Sequence, residues 1–415
     1  MVLDSFRAAP TAFKVLMISA LIENVAFGLI VPFLAIYMVN ILNISKPLTG
    51  VALAGYTLSG IPGAIIGGML TEKIGRRAVL LVSLGLMSLT MLLYFFAVDF
   101  VTLFMVVLAD SFVGSLYMPA ANAMIADVTP KQGRPKAYST LRIAWNIGMF
   151  FGPALGIFIV TAFSVRELFV FGSVILAGAF AMNIVFIPET KPKDAEEQEI
   201  TFTKFFQVSR NRTFLVLCAL TGVIWFSFSQ WMGVLLIYAT SNLGLSNASA
   251  SLVFMVNGAM VVTLQLWVTS KMIKFRRSLT LMTGQLIVAG GFSLLFFAND
   301  IPSLVACIVV ITIGELIYMS IVSAIIADMS PDAERGLYMG FSGFIQSLGI
   351  GVGFFAGMWL LDVLQEPKYI WFIFGVITAI GSLGYILLGR MLGPERDLPK
   401  YQPEIIPVGT PPLEK

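Results

Sequence analysis

The chain is predicted to be an all-α membrane protein, with twelve transmembrane helices in two related six-helix bundles. Three observations carry this. Of 415 residues, 58% are hydrophobic and 12% are charged, against roughly 45–50% and roughly 25% in soluble domains. The apolar residues run in long blocks, and about 20 apolar helical residues cross a hydrocarbon core of roughly 30 Å. The second half of the chain also echoes the first at an offset of about 201 residues.

The blocks place helices at 12–40, 47–70, 77–98, 101–127, 137–162 and 167–188, then at 213–241, 248–270, 278–298, 302–328, 336–364 and 368–391. No ten-residue alternating segments of the β-barrel kind appear. Helices satisfy every backbone polar group within their own segment, which lipid demands. The first block, 12–40, is too long for a cleavable leader and reads as a span. The expected organisation is a bundle over 1–188, a polar linker over 189–212, a second bundle over 213–391 and a Pro- and charge-rich tail over 392–415, expected to be disordered.

Charge sets the topology. With twelve spans and an inside N-terminus, 22 of the 26 lysines and arginines fall in segments on one side. Lys46, Arg166 and Lys368 fall on the other, and Arg142 lies inside a helix. This asymmetry predicts that both termini are cytoplasmic in a multi-pass protein of the cell (inner) membrane. The net charge of +3 therefore reports topology and gives no reason to expect a nucleic-acid partner. Cys218 and Cys307 sit in apolar blocks, and the chain has no histidine. No metal, cofactor or enzymatic chemistry is expected from a sequence without a His/Cys cluster, a P-loop or a Gly-x-Ser-x-Gly elbow.

The repeat is explicit in places. IADVTPKQGR, ending at Arg134, recurs as IADMSPDAER, ending at Arg335. Gly148, Gly152 and Gly156 recur as Gly349, Gly353 and Gly357. Phe27 and Tyr37 recur as Phe228 and Tyr238. Paired halves are a common plan of carriers, with the substrate site at their interface near the midplane.

Two motifs carry a family resemblance. After the second helix the chain reads GGMLTEKIGRR, Gly67 to Arg77. Gly68, Leu70, Glu72, Lys73, Gly75, Arg76 and Arg77 fall on the positions of the Gly-x-Leu-x-Asp-Arg-x-Gly-Arg-Arg/Lys signature of the major facilitator superfamily, which this loop resembles. In the fifth helix, NIGMFFGPALGIF, Asn146 to Phe158, resembles the Gly-x-x-x-Gly-Pro-x-x-Gly-Gly signature of its drug:proton antiporters. Gly148, Gly152, Pro153 and Gly156 match, and Ile157 replaces the last Gly. TIGELIY around Glu315 also resembles the tenth helix of some of these antiporters. The usual fourth-helix Arg is missing: Asp110 stands four residues before Gly114.

The resemblance implies the major facilitator fold and a gate on the cytoplasmic side. Gly68 and Gly75 would allow close packing and a tight turn. Glu72 would suit the positive N-terminus of a neighbouring helix, the eleventh being the candidate. Arg76 or Arg77 would pair with Asp127. Glycines four apart in the fifth helix let a neighbour approach closely, and Pro153 bends the helix.

Glu23, Asp110, Arg142 and Glu315 lie inside apolar helices, where a charge costs roughly 2.5–3.5 kcal/mol or more. Such groups face a cavity or a partner. Glu23 and Glu315, then Asp110, are the candidate proton carriers. Arg142 is a candidate substrate ligand or an ion-pair partner, and depth favours Glu23 over Asp110 for that pair. Helical spacing adds Phe27, Trp145, Asn146, Tyr117 and Tyr318 to the candidate substrate wall. Trp225 and Asn257 join them, with Ser229, Gln265 and Gln346 as further candidates.

The expected function is secondary active transport: proton-coupled efflux of small amphipathic or drug-like compounds by alternating access. The alternative is proton-coupled carriage of a specific, possibly anionic metabolite, with Arg142 as its ligand. The expected partners are substrate, protons and the bilayer, with the chain a monomer.

Overall fold

The computed structural model describes residues 10–130, 134–191, 207–331 and 335–398. Twelve helices in it are long and apolar enough to cross a membrane. They are α1 (Thr11–Ile41), α2 (Lys46–Ile74), α3 (Arg76–Phe96), α4 (Phe100–Val128), α5 (Arg134–Ala162) and α6 (Glu167–Phe186), then α7 (Arg212–Ser241), α8 (Asn247–Met272), α9 (Arg277–Leu295), α10 (Ile301–Met329), α11 (Arg335–Val363) and α12 (Tyr369–Asp397). Among the described residues there is no strand. The linker residues 192–206 and the tail from 399 onward lie outside the described residues.

Local chemistry sets several helix ends. Asp99 and Asp300, 201 residues apart, each cap a helix by accepting a backbone N–H three residues on, from Thr102 and Ser303 at 2.9 Å in both cases. Both caps are reciprocal capping boxes. One predicted boundary is corrected. The tail was expected from residue 392, but α12 continues to Asp397 across a break at Gly393, where φ is +69°. Pro394 follows, and proline is well suited to a first helical turn.

The packing repeats as the sequence does. α1 packs on α5 as α7 packs on α11, α3 on α6 as α9 on α12, and α2 on α4 as α8 on α10. Across the halves, α2 meets α11 and α8 meets α5. The signature glycines explain the first pair. A methyl group at Gly148 would collide with Asn24, at Gly152 with the backbone at Gly28, and at Gly156 with Phe33. Gly349 and Gly353 meet the backbone at Gly222 and Phe226 in the same way. α1 and α7 each include a π turn, Tyr37–Ile41 and Gln230–Val234, a feature frequent at functional sites.

The halves touch mainly away from the face that bears the basic loops. Among the described residues, two hydrogen bonds join them. Asn40 Nδ2 donates to Thr240 Oγ1 at 3.3 Å, and Lys46 Nζ donates to the Leu361 carbonyl at 3.3 Å. Along the α2–α11 seam the contacts run from Gly50 against Met358 to Gly351 against Thr57. Three turns further along α2, on the same face as Thr57, Gly68 has open space beside it, as does Gly343 in α11. The pair is closed at one face and open toward the basic one.

Candidate functional site

Glu23 and Glu315 lie on α1 and α10, one in each half, and both are half-buried. Asn24 Nδ2 donates to Glu23 Oε2 at 2.6 Å and to the Ala20 carbonyl at 2.8 Å. Gly148 makes room for this asparagine, which is 2% exposed. Asn257 Nδ2 donates to Glu315 Oε2 at 2.8 Å and to Thr312 Oγ1 at 3.0 Å. Neither glutamate has an ion-pair partner among the described residues. Each half thus presents one carboxylate held by one amide.

Asp110 is different. It is 3% exposed and accepts hydrogen bonds from Thr90 Oγ1 at 2.6 Å and Tyr94 Oη at 3.4 Å. It ties α3 to α4 and lies within electrostatic range of Glu23.

Two aromatic candidates are buried in hydrogen-bonded clusters. Tyr117 and Tyr318 occupy matching positions, 1% and 0% exposed. Tyr117 donates to Ser19 at 3.2 Å, and Tyr318 donates to Thr221 at 3.2 Å. Asn183 and Tyr385 complete the two clusters, so each tyrosine pins α4 or α10 to the first and last helices of its half. A single sequence does not distinguish a buried hydroxyl from one lining a cavity. Phe27, Asn146 and Trp225 are half-buried, and Trp145 is 44% exposed. Trp225 packs edge-on against Phe228. Arg142 lies in α5, but its side chain is outside the described residues.

The signature loop forms a network inside the first half. Arg76, 5% exposed, donates from Nε to Asp127 Oδ2 at 2.8 Å and from Nη1 to Glu72 Oε2 at 3.2 Å. Arg77 donates to the Ile184 carbonyl at 2.8 Å. Glu72 was expected at the start of the eleventh helix. Its described partner is instead Arg76, and in this state the seam beside it is open at Gly68. The second half repeats the pairing with Arg277 and Asp328 at 2.6 Å.

In the first half the acid beside this loop that sits on a helix N-terminus is Glu189, the first residue of the expected linker. Its carboxylate accepts backbone N–H bonds from Arg76 at 3.0 Å and Arg77 at 3.2 Å, the first turn of α3. The N–H groups of Thr190 and Lys191 add two more, at 2.8 and 2.9 Å. A side chain at Gly75 would strike this carboxylate, and its φ of +100° itself favours glycine. In the second half Asp397 accepts the Ser278 N–H at 2.8 Å, capping α9.

Partial burial pushes the Glu189 pKa up, but its four backbone donors together outweigh this and hold it below the ordinary 4.5. A carboxyl with a depressed folded value adds stability above 4.5, and that stability is lost as pH falls through the folded value. Replacing Glu189 with Gln is therefore expected to lower Tm at pH 7 and to flatten the fall in Tm below pH 4.5. Thermal melts of both proteins from pH 7 to 3 check this; parallel curves would contradict it.

Twelve spans, two pseudo-symmetric bundles and acids at their interior define a multi-pass membrane carrier. Residues 16–268 and 232–412 match the family model of the Major Facilitator Superfamily. The chain belongs to this superfamily, and it is a transporter of small molecules, not an enzyme. It is 28% identical to the Uncharacterized MFS-type transporter YttB of Bacillus subtilis (strain 168), over 85% of this chain and 89% of that one. It is 23% identical to the Quinolone resistance protein NorA of Staphylococcus aureus (strain COL), over 82% and 88%. A crystal structure of a POT family transporter in complex with 5-aminolevulinic acid superposes with a TM-score of 0.80 at 14% identity, covering 94% of this chain and 99% of the other. That likeness concerns the fold.

Proposed function

We propose that this chain is a proton-coupled exporter of small amphipathic or drug-like compounds. It acts as a monomer by alternating access across the cell membrane, with both termini in the cytoplasm. The observation that carries the reading is the pair Glu23 and Glu315: half-buried, one per half, each held by an amide and without a described counter-ion. A carboxylate in an apolar interior without a cation is stabilised by taking up a proton or a cationic cargo. Two such groups on opposite sides of a rocking interface give protons and cargo a means to bias it, provided each binds the two states differently.

The basic loops support the orientation, which makes the open face cytoplasmic. The similarity to a quinolone resistance protein supports drug-like cargo. The test is transport of tetraphenylphosphonium by proteoliposomes with and without an imposed pH gradient. The gradient is expected to drive accumulation; indifference to it would remove proton coupling. Competition by anions, with loss of binding in Arg142→Gln, would favour the metabolite carrier instead.

A further inference from the structure

The face opposite the basic loops carries three cations, and two of them lie against symmetry-related phenylalanines. Arg166 donates to the Phe95 carbonyl at 2.8 Å and lies 5.1 Å from the centre of the Phe95 ring, at the C-terminal end of α3. Lys368 lies 5.4 Å from the Phe296 ring, just past α9, and pairs with Glu366 at 2.9 Å. Phe95 and Phe296 are 201 residues apart. Each of these cations stays within its own half.

Lys46 breaks the pattern. Its counterpart in the repeat is Asn247, at the start of α8. Lys46 is the first residue of α2, where the positive end of its own helix disfavours an ammonium group. The side chain instead crosses to the other half and donates to the Leu361 carbonyl in the last turn of α11. That carbonyl belongs to the negative end of a helix, where a cation is stabilised. Asn40 to Thr240 is the other described hydrogen bond between halves, on the same face, and it joins α1 to α7. Gly50 lets α2 close against Met358 and Phe355 one turn below Lys46.

We infer that Lys46 is a charge latch. It holds the two halves together at the outer face and sets the resting preference for the state open to the basic face. The Leu361 carbonyl is an acceptor in either state. Only in this state, however, does α11 bring it within reach of a cation anchored on α2. Losing the bond therefore costs this state and leaves the opposite-facing state unchanged, which is the condition for shifting a two-state equilibrium. Loss of one charge-assisted hydrogen bond at a half-exposed site is expected to move the ratio roughly three- to tenfold.

The test needs neither a known substrate nor proton coupling. Spin labels replace the exposed, symmetry-related Lys73, in the last turn of α2, and Lys274, in the α8–α9 loop, with Cys218 and Cys307 changed to Ala in the full chain. Double electron–electron resonance in nanodiscs reads the distance across the basic face. Lys46→Met, which keeps the length and removes the charge, is expected to transfer population from the long to the short distance by that factor. Lys46→Arg is expected to retain the wild-type distribution. The comparison is repeated with Asn40→Ala, which lacks the second bond and is expected to show a larger shift. An unchanged distribution in both backgrounds overturns the latch. So does an equal shift in Lys46→Arg, which would assign the effect to side-chain shape.

Discussion

Replacing Glu315 with Gln is expected to reduce gradient-driven transport on the order of tenfold or more, while substrate exchange without a gradient persists. Gln keeps the size of the side chain and can still accept from Asn257, 2.8 Å away. What it loses is the capacity to release and rebind a proton. Glu23→Gln is expected to do the same in the other half, where Asn24 supplies the matching bond. The contrast is Asp110→Asn. Thr90 and Tyr94 enclose that carboxyl at 3% exposure, so its loss is expected to act first on stability. Parallel assays of driven uptake and exchange separate these outcomes. If Glu315→Gln and Glu23→Gln were driven like wild type, the two glutamates would have no coupling role.

The second large effect concerns the fold. Gly152→Leu is expected to prevent assembly of the first half, with little monodisperse protein recovered. Even a Cβ at this position would run into the backbone of Gly28 and Leu29 on α1. No rotamer relieves a clash with backbone, so the cost exceeds the usual overpacking range of about 1–3 kcal/mol. Gly353→Leu is expected to fail in the same way against α7, where Phe226 and Ser229 crowd the site. Gly68→Ala is the control: open space lies beside it, and Tm is expected to stay within a degree or so, as for neutral surface changes. Size-exclusion profiles and melts of the three variants check this. A monodisperse Gly152→Leu with wild-type Tm would refute the packing role.

Much of the fold was legible because lipid makes strong demands on a sequence. A span must be apolar for about 20 residues, so the helices announced themselves, and Tyr369 to Asp397 strayed only where Gly393 lets α12 break and resume. The glycine face of α5 was equally legible, because close helix approach leaves small residues at fixed spacing. Contacts across the fold were not. Nothing in the local sequence says that Glu189 reaches the first turn of α3, although the positive-φ Gly75 was flagged as a turn. The partners of Glu23 and Glu315 divide in the same way. Asn24 is adjacent in sequence, whereas Asn257 is 58 residues from Glu315 and meets it only because α8 packs on α10. Helical spacing set Tyr117 and Tyr318 beside the interior acids, but it gives direction around an axis and not which neighbour lies there, so their buried bonds to Ser19 and Thr221 were not legible.

In the proposed mechanism the passage of cargo and the titration of two interior carboxylates are one process. It is tested most directly by proton movement in the unmodified chain. Proteoliposomes holding a pH-sensitive dye receive a pulse of tetraphenylphosphonium on one side, with the membrane potential clamped. A substrate-dependent change in internal pH is expected, and it should vanish in the Glu23→Gln, Glu315→Gln double variant. Cargo crossing with no change in internal pH, or a proton signal that survives the double substitution, would contradict it.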